Sequence, residues 1–207
     1  MDRRNLMLGA VGFVVLGSAA RGQPGTSPTP GEDVGPYYPV VGPSESTADL
    51  TNVGNVRAAG QIIDLRLRVA DRQGRPLHKA IVVLWQGDSN GVYPHPTEIR
   101  RPDPGFGGHA LLRTDASGEV RLLSVMPGPY KARFLPGMRT SHIHFEVLHA
   151  DTRLVTQMYF PGQPLNAQDE LIRRLRAAGE DPARVTATAT GSAEPGTTAY
   201  RWEMIVA

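Results

Sequence analysis

Gln61-Ile62-Ile63-Asp64-Leu65-Arg66-Leu67-Arg68-Val69-Ala70 alternates apolar and charged side chains, with Ile63, Leu65, Leu67 and Val69 on one side and Asp64, Arg66 and Arg68 on the other. Successive side chains of a strand point to opposite faces, so this stretch reads as a half-buried strand. The turn residues Asp71-Arg72-Gln73-Gly74-Arg75-Pro76 follow, then a continuously apolar strand from Ala80 to Trp85, which reads as covered on both faces. Asp115-Ala116-Ser117-Gly118 is a second turn, leading into a strand at Glu119–Val125. Further strands are expected at Tyr130–Leu135, His142–Leu148, Leu154–Phe160, Val185–Thr190 and Tyr200–Val206. One short helix is expected from Asp169 to Ala178, with Leu171, Ile172 and Leu175 on its apolar face and Gly179 closing it. Short strands broken by turns predict an all-β chain, a β-sandwich with long loops.

Composition agrees. The 207 residues include 23 glycines and 18 prolines, which favours turns over a helical bundle. A net charge of +2 without a basic cluster argues against nucleic acid as a partner. The absence of cysteine excludes disulfides, zinc-thiolate sites and a cysteine nucleophile.

Residues 1–20 have the layout of a signal peptide. Arg3-Arg4 precedes Leu6 and Leu8, an apolar stretch runs to Gly17, and Ser18-Ala19-Ala20 supplies small residues. The apolar part is too short for a stable membrane span, and the arginine pair points to the twin-arginine route of bacterial export to the periplasm or the medium. Residues 21–34 are rich in Gly, Pro, Ser and Thr and read as a flexible lead-in, so the domain is expected at 35–207.

Two residues apart on one strand, His142 and His144 share a face while Ile143 and Phe145 take the other. Two imidazoles side by side are half of a metal site. Tyr93 and Tyr130, each preceded by turn residues, could supply anionic oxygen for the other half, or could be ordinary packing tyrosines. Phenolate oxygen suits ferric iron.

The motifs Gly35-Pro36-Tyr37-Tyr38, Trp85-Gln86-Gly87-Asp88 with Gly91-Val92-Tyr93, Arg113-Thr114-Asp115, Pro127-Gly128-Pro129-Tyr130, Arg139-Thr140-Ser141-His142-Ile143-His144-Phe145 and Thr156-Gln157-Met158-Tyr159-Phe160 occur in this order. Together they resemble the intradiol ring-cleavage dioxygenases, and among them the iron-holding chain type of the protocatechuate 3,4-dioxygenase branch. The resemblance implies a transthyretin-like sandwich and a mononuclear Fe(3+) held by Tyr93, Tyr130, His142 and His144. It implies a catechol-type aromatic diol and O2 as substrates, cleavage between the two hydroxylated carbons, and a cis,cis-muconate-type diacid as product. It assigns catalytic roles to Arg139, Tyr130 and Gln157: Arg139 faces the substrate, Tyr130 is the ligand that leaves, and Gln157 supports the site. Pro36 and Tyr37 would help wall the substrate pocket. A homo-oligomer or a related partner chain is expected. The rival reading from another class is an exported sandwich that binds a metal or a polysaccharide without turnover.

Overall fold

The computed structural model describes residues 26–40, 48–191 and 194–207. The signal segment expected at 1–20 lies outside them. In chain order the elements are β1 (Asn52–Val53), β2 (Val56–Arg57), β3 (Ile62–Asp71), β4 (Ile81–Trp85), β5 (His109–Arg113), β6 (Glu119–Val125), β7 (Tyr130–Lys131), β8 (Met138–Arg139), β9 (His142–His149), β10 (Thr152–Tyr159), helix α1 (Glu170–Ala177), a 3-10 turn (Pro182–Val185), β11 (Thr188–Gly191) and β12 (Thr197–Val206). The described residues are mostly β with one α-helix.

Two four-stranded sheets carry the fold, one in the order β10-β9-β4-β5 and the other in the order β11-β12-β3-β6. β12 runs parallel to β3, and the other neighbours are antiparallel. Alternation gives each sheet an apolar face, and the two faces meet in one core. Ile63, Leu65 and Leu67 of β3 and Trp202 and Met204 of β12 join Val82 and Leu84 of β4 and Ile143, Phe145 and Val147 of β9.

The opposite face of the β10-β9-β4-β5 sheet is also buried, and it carries the polar residues. His142, His144 and Glu146 of β9, Trp85 of β4, and Gln157 and Tyr159 of β10 lie there, all nearly or wholly inaccessible. Such groups are kept only where partners satisfy them. Their cover is the segment 30–38, the loop between β4 and β5, the ribbon β7-β8 and helix α1.

Three expectations change. Of the lead-in expected to be flexible at 21–34, residues 26–34 are docked, while residues 21–25 lie outside the described residues. Thr29 exchanges bonds with Ile205, Glu32 N–H donates to the Val155 carbonyl, and Thr156 Oγ1 donates to the Pro30 carbonyl. Their Pro- and Ser-rich composition limits regular structure but not edge-to-edge bonding. The strand expected at 130–135 ends after Lys131, because Tyr130 and Lys131 find partners only in Arg139 and Met138, across a loop containing Pro136-Gly137. The stretch expected as a strand at 185–190 begins at the end of a 3-10 turn capped by Asp181, with Pro182 in its first turn; Thr186 forms an isolated bridge to Tyr159, and regular pairing with β12 begins at Thr188. Among the described residues no helix is long and apolar enough to cross a membrane.

Candidate metal centre and active site

His142 and His144 leave β9 on the same side, and their Nε2 atoms lie 3.2 Å apart. Tyr93 arrives on the loop after β4. Within that loop the Asp88 carboxylate accepts from the N–H groups of Asn90 and Val92, and Oδ2 also accepts from Asp103 N–H. Gly91, with φ +68°, sits against the carbonyls of Pro129 and Gly128. That backbone contact brings the loop of Tyr93 against the start of β7, where Tyr130 stands. The Tyr93 hydroxyl lies 3.4 Å from His142 Nε2, and the Tyr93 and Tyr130 ring centroids are 5.4 Å apart. The Tyr130 and His142 rings are 5.6 Å apart, and Tyr93 and His144 6.2 Å. Residues separated by up to 51 positions thus place four donor rings around one centre.

The centre is buried, and burial favours the neutral form of each of its groups unless a cation is present. Burial, reinforced by the neighbouring Tyr130, pushes the Tyr93 phenol well above its ordinary value. Burial raises Tyr130 too, against the pull of the Arg139 charge. Burial and the Arg139 charge hold both imidazoles well below their usual range, with His142 adding to the effect on His144. His142 Nδ1 lies 2.6 Å from the Thr140 carbonyl, which can accept only a proton-bearing nitrogen. This arrangement presents the bare Nε2 lone pair to the centre, as in histidines that bind metals. Among the described residues no group of three or more His, Cys, Asp or Glu side chains could hold a metal. Any ion here therefore takes the tyrosines as its anionic donors. Two imidazoles with two phenols that only a strong Lewis acid can deprotonate fit a hard, trivalent cation.

Aromatic stacking fixes two of the rings. Trp85 lies parallel to His144 at 4.9 Å, and Tyr37 lies parallel to Tyr93 at 4.4 Å. Both contacts restrict ring rotation.

Arg139 ends the ribbon strand β8 opposite Tyr130. It is 3% exposed. Its Nε donates to Asp169 Oδ2 at 2.8 Å, and its Nη2 donates to Gln157 Oε1 at 2.7 Å and to the Tyr159 hydroxyl at 3.2 Å. A cavity of about 410 Å³ opens beside these groups, lined by Pro36, Tyr130, Arg139, His144 and Gln157, with Ala132, Leu135 and Leu171 on its apolar side. The cavity lies within the size range of small-molecule sites.

Of the residues singled out from the sequence, Tyr93, Tyr130, His142 and His144 converge, and Arg139, Gln157 and Pro36 line the adjoining cavity. Tyr37 does not line it; the ring backs Tyr93 instead. Sequence reading passed over Asp169, Tyr159, Thr140 and Glu32. Tyr159 was within reach of the alternation rule, since it shares a face with Gln157 and pairs with His142 in register. Asp169 was legible only as the residue that starts the helix. Its Oδ1 caps α1 through the N–H groups of Leu171 and Ile172, while Oδ2 holds Arg139 and Thr140 N–H.

A family model described as Dioxygenase matches residues 34–206. The protocatechuate 3,4-dioxygenase beta chain of Burkholderia cepacia is 36% identical over 155 residues, 70% of this chain and 66% of that one. The dioxygenase domain of a dioxygenase carbohydrate-binding protein fusion from Streptomyces sp. SirexAA-E superposes with a TM-score of 0.63 at 28% identity, covering 87% of this chain and all of that one. The 3-chlorocatechol 1,2-dioxygenase of Rhodococcus opacus 1CP shares the fold, with a TM-score of 0.68 at 19% identity over 87% of this chain and 73% of that one. The chain spans less than two thirds of the length of the curated relatives it matches, from 66% of the Burkholderia protein down to 38% of a hydroxyquinol 1,2-dioxygenase of Corynebacterium glutamicum.

Proposed function

The chain belongs to the intradiol ring-cleavage dioxygenase family, and from that premise we propose that it is a non-haem Fe(III) enzyme that opens a catechol-type ring between its two hydroxylated carbons. Both atoms of O2 enter the product, a cis,cis-muconate-type diacid. The observation that carries this reading is the convergence of Tyr93, Tyr130, His142 and His144 beside a cavity lined by Arg139.

Tyr93, Tyr130, His142 and His144 would hold the iron. When bound, Fe(III) would supply the Lewis acidity that favours loss of both diol protons, and the resulting dianion is the electron-rich form able to react with O2. The remaining work belongs to the protein. Tyr130 forms part of the cavity wall; as the phenolate that a bound cation would stabilise, its Oη would take a proton from the incoming diol and return to the neutral phenol. Arg139, charged and held by Asp169, Gln157 and Tyr159, stabilises negative charge that develops on the ring. Pro36 and the apolar wall of Ala132, Leu135 and Leu171 help keep water from the reacting face, while Asp33 and Arg133 place charge along the same cavity.

The reading extends to the two sheets as a transthyretin-like sandwich, supported by their common core. It extends to export by the twin-arginine route, supported by Arg3-Arg4 and the apolar stretch after it. A homo-oligomer or a related partner chain belongs to the same reading, supported by the name "beta chain" of the Burkholderia relative.

The test is an ultraviolet–visible titration of the full chain with ferric iron and then with a panel of catechols, followed by product identification. Two phenolates on Fe(III) give a charge-transfer band and a burgundy protein, and the band shifts when a diol chelates. A protein that stays colourless after ferric iron is added would reject the enzyme reading and leave a binding module.

A further inference from the structure

The N-terminal segment does more than cover the sheet. Glu32 reaches under the active-site layer, where its Oε2 accepts from the Tyr159 hydroxyl at 2.8 Å. That same hydroxyl accepts from Arg139 Nη2 at 3.2 Å. An O–H group has one proton. With that proton donated to Glu32, the Tyr159 oxygen presents only lone pairs to the guanidinium. The segment that delivers Glu32 is anchored on both sides, through Glu32 N–H to the Val155 carbonyl, the Pro30 carbonyl to Thr156, and Thr29 to Ile205.

We propose that residues 29–33 are a strap that completes the active site, and that Glu32 is a positioning residue which holds Arg139 toward the cavity through Tyr159. The assignment of what Arg139 then does rests on the dioxygenase reading above. Without the Glu32 acceptor the Tyr159 proton turns to Gln157 Oε1, 3.5 Å away. That oxygen is the one Arg139 Nη2 uses at 2.7 Å. The guanidinium then loses one acceptor and competes for the other. Part of the Glu32 carboxyl is itself unpartnered, since Oε1 is buried without a hydrogen bond among the described residues. A group held at that cost for packing alone would be better replaced by an apolar side chain of similar size.

The experiment follows this substitution. Glu32→Leu keeps the volume and removes the acceptor; Glu32→Gln keeps an acceptor and removes the charge. On the iron-loaded full chain, Glu32→Leu is expected to lower kcat about tenfold, the equivalent of one lost hydrogen bond, with the visible band kept and KM for catechol little changed. Glu32→Gln recovers most of that loss. On a Tyr159→Phe background Glu32→Leu costs nothing further, because the hydroxyl through which it acts is already gone. A second readout needs no turnover: the Arg139 Nε–H resonance of the gallium(III)-treated chain, identified by its loss in Arg139→Lys, moves in Glu32→Leu and stays near its native position in Glu32→Gln. The proposal is overturned by an unmoved Arg139 resonance in Glu32→Leu, by effects of Glu32→Leu and Tyr159→Phe that add, or by loss of kcat, band and KM together. Wild-type protein that takes up no ferric iron would overturn the enzyme reading alone, and the resonance would still decide the role of the strap.

Discussion

Arg139 Nε and Asp169 Oδ2 meet at 2.8 Å with both side chains sealed from solvent. The pair joins the ribbon that carries Tyr130 to the first turn of α1. Removing one partner of a buried ion pair strands the other charge and costs about 3–5 kcal/mol, whereas an exposed pair contributes about 0–1 kcal/mol. Asp169→Asn should therefore lower unfolding free energy by about 3–5 kcal/mol in urea denaturation, although asparagine still caps the helix. Asp64→Asn, whose partner Arg121 is 58% exposed, should stay within about 1 kcal/mol. Equal effects would mean that Arg139 is solvated by another route.

Tyr130 and His144 should respond differently to deletion. His144 is locked against Trp85 and cannot be replaced by a neighbour, so His144→Ala should lose most of the iron. Tyr130 lines the cavity, and Tyr130→Phe should keep iron while shifting the visible band and slowing diol binding. The iron-to-protein ratio and the spectrum of each variant decide this. Complete loss of iron from both would contradict the role assigned to Tyr130.

Glu32 makes stability depend on pH. Burial pushes its carboxyl from 4.5 up to about 7; the Tyr159 hydrogen bond and the Arg139 charge oppose this, and Asp169 and Asp33 add to it. Arg174 and Glu180 line the groove on its other side. A folded-state value above the unfolded one means that stability is fully present below the unfolded value of 4.5 and is lost as pH rises through about 7. Glu32→Gln lacks this loss. Its melting temperature relative to the wild type should climb between about pH 5 and pH 8. A flat difference would place the ionisation of Glu32 outside this window.

Gly91 couples the two tyrosine loops. A Cβ there would stand 2.7 Å from the Pro129 carbonyl oxygen and 2.9 Å from that of Gly128, at φ +68°. Gly91→Ala should cost more than the roughly 1–2 kcal/mol of a left-handed alanine and should weaken iron uptake, because Tyr93 and Tyr130 move apart. Gly74→Ala, also left-handed at φ +74° but with nothing within 4 Å among the described residues, should cost only the conformational part and leave iron uptake unchanged. Thermal denaturation and iron stoichiometry measure both.

The strands were legible where alternation is local. The period of two in β3 and in His142–Val147 needs no partner to be read, and both stretches form as expected. Helix α1 was legible from Leu171, Ile172 and Leu175 with their caps. The lead-in was not, because proline and serine content reports backbone preference and says nothing about which sheet edge is free to accept a bond. The strand expected beyond Lys131 failed for the same reason: among the described residues its apolar side chains have no facing strand, and Phe134 stays 76% exposed.

By itself the sequence determined which side chains share a face, since that depends on the geometry of neighbouring peptide units: His142 with His144, and Gln157 with Tyr159. Only the tertiary structure decided that Tyr93 meets His142, that Asp169 takes Arg139 as well as capping a helix, and that Glu32 lies beneath Tyr159. Those contacts join residues 30 to 127 positions apart. Their existence depends on loop closure and on the burial of polar groups that must be satisfied, and neither is written in any local pattern.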